Sequence, residues 1–142
     1  MVYLITCDKC NVSKVGHGFD PKKRLLGVQT GHHHKLRIES VIDGGSGVEK
    51  SIHFKYSADR LHGEWFRRTP SLVLDFAARD LRDRGLKEIA KDVFLMSDCM
   101  RGSWYSDEEK IGLMNQMCNV LDEVERLVEL ESKDGIEFLG VA

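Results

Sequence analysis

Glu49 and His53 stand four residues apart, Arg24 follows shortly after Asp20-Pro21, and His17 comes directly after the run Lys14-Val15-Gly16. These side-chain types suit hydrolysis of a phosphodiester, which needs an activated water, counter-charge on the phosphoryl oxygens and help for the departing oxygen. Glu49 is a hard oxygen donor for one Mg2+ or Mn2+ ion; such an ion keeps several waters and is completed by substrate phosphate, so one protein carboxylate suffices. Arg24 carries a permanent charge on a planar fork that matches phosphate, and a helix N-terminus near Asp20 adds backbone donors for an anion. An imidazole has a reference pKa of about 6.5 against about 10 for a phenol, so His53 is chemically an easier base than Tyr3, with His17 as a competitor. Lys22, Lys23, Lys35, Arg37 and Arg60 are generic phosphate contacts. Each residue alone has a plainer reading: Tyr3 as strand core with a hydrogen-bonded hydroxyl, Arg24 and Glu49 as solvated helix charge.

A second set of chemically capable residues is weaker. Cys7-x-x-Cys10 is half a zinc site, and no further Cys or His pair follows at finger-like spacing. His32-His33-His34 cannot chelate one ion together, because neighbours in an extended chain alternate sides. One of the three is nevertheless free to face a pocket, and a zinc-binding adaptor built on Cys7, Cys10 and nearby histidines is the third functional option.

The elements that must position these groups follow from pattern. Val2 to Thr6 and Val12 to Val15 are β-rich runs around a polar turn, which predicts a hairpin. Asp20 and Pro21 are N-cap and first-turn signals of a helix that closes at Gly31, with Leu25, Leu26 and Val28 on its buried side. His34 to Ile42 reads as a third strand ended by Gly44-Gly45-Ser46-Gly47. Val48, Ile52 and Lys55 or Tyr56 recur at helical spacing, placing Glu49 and His53 on one face. Gly63-Glu64-Trp65-Phe66 is expected as a compact aromatic turn, with Trp65 and Phe66 mainly in the core.

Thr69-Pro70 opens a helix with a Leu72, Val73, Phe76, Ala77, Leu81 stripe, and Leu86 to Leu95 is helical as well. Ser106 to Glu109 has the capping-box form before a long helix striped by Met114, Met117, Leu121, Val124 and Val128 and widened by Leu113, Val120 and Leu127. The expected fold is α+β, a small three-stranded antiparallel sheet flanked by helices, with residues 1–84 as the core and 85–142 as an acidic helical extension.

The 142 residues suffice for one domain with a real core, and 42% hydrophobic with 31% charged residues argues against disorder. Met1 to Thr69 holds twelve Lys/Arg against seven Asp/Glu and all six histidines, whereas Pro70 to Ala142 holds nine against sixteen. A polyanion would therefore meet the N-terminal half. The opening residues lack the basic and apolar regions of a secretion signal, so the cytosol is the expected location and free thiols the expected state of the cysteines, with no membrane partner.

Val2-Tyr3-Leu4-Ile5, then Lys14-Val15-Gly16 eleven residues past Tyr3, Asp20 to Leu25, Gln29-Thr30-Gly31, Glu49 to His53 and Gly63 to Phe66 stand in an order that resembles the GIY-YIG nuclease superfamily. The likeness is greatest to its compact phage and bacterial branch, named after a phage T5 open reading frame, and covers roughly the first 70 to 84 residues. The resemblance implies a metal-dependent DNA endonuclease with Tyr3 at the first-motif tyrosine, Gly16 at the second-motif glycine, Arg24 at the helix arginine and Glu49 at the metal-binding acid. Lys14 stands where many relatives carry a second tyrosine, and the late asparagine of several relatives has no counterpart. By resemblance Tyr3 is the base, with His53 and Lys14 in support; Gly16, His17, Lys22, Lys23 and Arg60 would contact DNA. The alternative keeps the fold as a catalytically inactive module binding nucleic acid or protein. The C-terminal helices are the surface for a second copy or a protein partner.

Overall fold

The computed structural model describes residues 1–102 and 104–141. It divides into two compact units, Met1–Gly102 and Ser103–Ala142. The first is α+β, as expected, but its antiparallel sheet has five strands rather than three. β1 (Val2–Cys7) and β2 (Val12–His17) form the hairpin, α1 (Pro21–Thr30) follows, and β3 (Arg37–Ile42) returns beside β1. After α2 (Ser46–Lys55) a short hairpin, β4 (Arg60–His62) and β5 (Trp65–Arg67), adds to the far side of β2, giving the order β3-β1-β2-β5-β4. The expected aromatic turn is therefore a turn with two short strands. Three-residue strands are too brief to show a period, and Gly63 at φ +55° supplies the reversal.

All six residues of β1 are buried, because helices cover both faces of the sheet. Val2 and Leu4 face Ile52 and Tyr56 of α2, Phe66 of β5, and Leu72 and Phe76 of α3 (Pro70–Asp83). Tyr3, Ile5 and Cys7 point to the other face, where Leu25 and Val28 of α1, Leu36 and Trp65 pack. Leu26, expected inward, is 70% exposed, and no α1 side chain is fully buried. Phe66 meets the core expectation, whereas Trp65 lies half-buried on the opposite face from it. The β1–β3 register shifts between Leu4 and Ile5, leaving Glu39 outside the pairing. Its carboxylate accepts hydrogen bonds from Thr6 Oγ1 (2.7 Å) and Arg68 Nη2 (2.6 Å).

α3 starts as its sequence predicts, with Pro70 in the first turn and the Thr69 hydroxyl accepting from Leu72 N. α4 (Lys87–Met100) packs against it, and Ser71 and Ser97 exchange hydroxyl-to-carbonyl hydrogen bonds of 2.9 and 2.7 Å. That contact carries the first unit to Gly102, beyond the boundary expected near residue 84.

In the second unit, α5 (Asp107–Val141) opens where expected, the Ser106 hydroxyl accepting from Glu109 N (3.2 Å) and donating to its carboxylate (3.1 Å). Its stripe is narrower than the pattern predicts: Met114 is buried and Met117, Leu121 and Val124 are half-buried, but Val120, Leu127 and Val128 are exposed. Among the described residues no helix is long and apolar enough to cross a membrane.

The completely buried Asp75 of α3 accepts from Tyr56 (2.5 Å), Arg79 (2.6 Å) and Lys55 (2.7 Å). Burial alone would raise its carboxyl, but these three partners favour the charged form and hold it below the usual carboxylate range. Its stabilising contribution is complete above the unfolded pKa of about 3.9 and is lost as pH falls through the depressed folded value. Urea denaturation from neutral pH to pH 3 should show stability falling on acidification. Asp75→Asn should flatten that dependence and cost about 3 kcal/mol at neutral pH, since it leaves half-buried Arg79 and Lys55 without their counter-charge.

Candidate functional site

The site is built where β1 and β2 pair. Tyr3 lies directly across from Gly16, and a Cβ on Gly16 would fall 2.5 Å from the Tyr3 hydroxyl and 2.7 Å from Cζ. Glycine is needed here for space: the phenol occupies the volume that any side chain at position 16 would take. Burial is the largest influence on that phenol and raises its pKa, while the Arg24 guanidinium on α1 pulls it back. Glu64 and Glu49 both act on it in the raising direction. One hydroxyl thus feels a cation from one element and carboxylates from two others.

Glu49 sits in the first turn of α2 and is nearly buried, with 7% of its surface exposed. One carboxylate oxygen is hydrogen-bonded to His17 Nδ1, at the end of β2; the other lies 3.5 Å from His53 Nε2. His53 was expected as a candidate base, yet its Nε2 lies 2.9 Å from the Val15 carbonyl. A carbonyl only accepts, so that nitrogen carries the proton and cannot remove one from water. His53 instead ties α2 to β2 and packs its ring on Phe66 at 5.0 Å. His17 has the opposite arrangement. Its Nδ1 faces Glu49, its side chain is 47% exposed, and donation from Nδ1 to the carboxylate leaves Nε2 as the acceptor.

Lys14 reaches Glu64 at 3.1 Å and lies 5.7 Å from the centre of the Trp65 ring. Burial by itself would raise the Glu64 carboxyl, but Lys14 and then His53 keep it below the ordinary range, and its side chain also interacts with that of Glu49. Glu64 was not singled out from sequence as a site residue. It stands in the Gly63 to Phe66 stretch, which was read for its turn and its aromatic core residues rather than for its carboxylate. Glu49 and Glu64 are the oxygen donors this site could offer a cation, with His17 and His53 as neighbouring imidazoles.

The remaining expected contacts are less converged. Lys22 and Lys23 are exposed on the first turn of α1, beside Arg24. The Asp20 carboxylate accepts from Lys23 N (3.1 Å), so this helix N-terminus already holds an anion of its own, which weakens it as a phosphate site. Arg60 lies on edge strand β4 with Nε donating to the Gly63 carbonyl (2.6 Å). Arg37 is committed to Asp8 through two hydrogen bonds of 2.7 and 2.9 Å.

No protein-family model, curated protein or solved structure matches the chain.

Gly16→Ala should displace the Tyr3 ring and destabilise the protein by about 1–3 kcal/mol, the usual cost of overpacking a filled core. In a Tyr3→Ala background the same Gly16→Ala change should cost much less, because the clash is with that ring. A double-mutant cycle by urea denaturation measures the coupling, and strictly additive effects would contradict the packing described.

Proposed function

We propose that the chain is a divalent-metal-dependent DNA endonuclease of GIY-YIG type that hydrolyses phosphodiester bonds. The observation that carries this reading is that the Tyr3 hydroxyl, packed against Gly16, lies within the electrostatic influence of Arg24 and Glu49 from two other segments. Arg24 binds the scissile phosphate through its guanidinium fork, and exposed Lys22 and Lys23 neutralise neighbouring phosphates. Tyr3 stays protonated, since burial raises its phenol, and donates a hydrogen bond into the reacting group. His17 takes the proton of the attacking water at Nε2, with Glu49 holding its Nδ1–H. Glu49, with Glu64 beside it, would hold one Mg2+ or Mn2+ ion, which would supply Lewis-acid charge to the phosphoryl oxygens.

A second reading keeps nucleic-acid binding without cleavage. The Lys14–Glu64 ion pair favours it, because it replaces a second phenol with a charge pair that is satisfied without substrate.

Plasmid cleavage with Mg2+ or Mn2+ separates the two. Glu49→Gln and Arg24→Lys should each lower the rate about 10²–10³-fold. His17→Gln should lower it roughly 10²–10⁴-fold with little change in DNA retention, as expected for lost proton transfer. DNA retained but uncut at every metal concentration would select the binding module, and cleavage unchanged by Glu49→Gln would sink the endonuclease reading.

A further inference from the structure

The turn of the first hairpin brings together residues that lie outside the phosphodiester site. Cys7 closes β1 and is fully buried, Cys10 is exposed at the turn, and His32 follows α1. One ligand atom from each lies within 4.8 Å of the others. A tetrahedral zinc ion with ordinary Zn–S and Zn–N bonds spaces its ligand atoms about 3.5–3.8 Å apart, within reach of small side-chain rotations. The sequence offered Cys7, Cys10 and nearby histidines as a set, and His32 is the one that joins the two sulfurs when α1 folds back over the Tyr3 face of the sheet.

We propose that Cys7, Cys10 and His32 form a Cys2His site for a thiophilic divalent ion, Zn2+ foremost, with the fourth position open to water. Three features of the backbone and side chains prepare the site. The Cys10 N–H donates to Cys7 Sγ (3.4 Å), a contact that stabilises negative charge on that sulfur. Asn11 takes φ +54°, turning the chain sharply after the second cysteine; asparagine tolerates this conformation better than most residues. His32 stacks on Trp65 with ring centres 5.5 Å apart, and its Nδ1 lies 3.2 Å from the His34 carbonyl. The His34 N–H also points at Nδ1 (3.3 Å), so these contacts and the Trp65 stack hold the ring beside the two sulfurs.

Ion binding removes both thiol protons and draws the two thiolates to a shared cation. The two sites then sort by ligand hardness: sulfur and imidazole at the hairpin turn select zinc, carboxylate oxygen at Glu49 selects Mg2+ or Mn2+. The ion has a mechanical consequence as well. α1 has no fully buried side chain of its own, and the site pins the segment that follows it to the β1–β2 turn, steadying the helix that carries Arg24.

Tag-free protein, purified under reducing conditions without chelator and dialysed against metal-free buffer, provides the test by elemental analysis and thiol counting. About one zinc per chain is expected, falling to near zero in Cys10→Ser and in His32→Ala. Both substitutions are away from the buried sulfur, and circular dichroism reports whether each variant is folded. His33→Ala, at an exposed neighbour, and Glu49→Gln, at the other site, should each keep the full zinc content. Cobalt-substituted protein should show thiolate-to-metal charge transfer that Cys10→Ser abolishes. Sub-stoichiometric zinc in fully reduced protein after reconstitution, zinc retained equally by Cys10→Ser, or a Cys7–Cys10 disulfide that persists under reductant would each overturn the proposal. None of these readouts depends on DNA cleavage.

Discussion

A phenol and a missing side chain share one volume at the centre of this protein, and the site is arranged around that exclusion. Tyr3 belongs to a strand buried on both faces, so its ring cannot turn to solvent. It lies across the strand pair over Gly16, where any Cβ would collide with it. The constraint aims the hydroxyl at the end of β2, within the influence of Arg24 from the α1 side and of Glu49 and Glu64 beyond. A larger residue at position 16 would therefore disturb core packing and site geometry together.

Buried and half-buried carboxylates recur through the first unit, each held by cations or hydrogen-bond donors from other elements. Asp75 joins α3 to the end of α2 through Lys55 and Tyr56. Glu39, displaced from strand pairing by the register shift, joins Thr6 and Arg68. Both remain ionised because their partners outweigh the cost of burial. Glu49 differs in character, since its partners are two histidines.

Much of the scaffold was legible in the chain because its signals are local. The first hairpin, the Asp20-Pro21 helix start, the Thr69-Pro70 start and the Ser106 cap lie in a few consecutive residues, and the structure has an element at each. The β4–β5 hairpin escaped because three-residue strands carry no period. Leu26 was misplaced because α1 lies on the sheet through a narrow strip, Leu25 and Val28, rather than a broad apolar face. At the site, the four-residue spacing of Glu49 and His53 correctly put both on one helical face, but spacing could not say that His53 would spend its Nε2 on the Val15 carbonyl.

The sequence by itself determined the kinds of element, their order and which residues had chemistry to offer, because hydrophobic period, caps and side-chain type act over a turn of helix or a few strand positions. Tertiary structure alone decided which of those residues share a space. His17 meets Glu49 across thirty-two positions, Lys14 meets Glu64, and His32 reaches the Cys7–Cys10 turn. Those encounters depend on strand register and on how helices lie across the sheet, quantities set by the packing of the whole unit and written in no single stretch of chain.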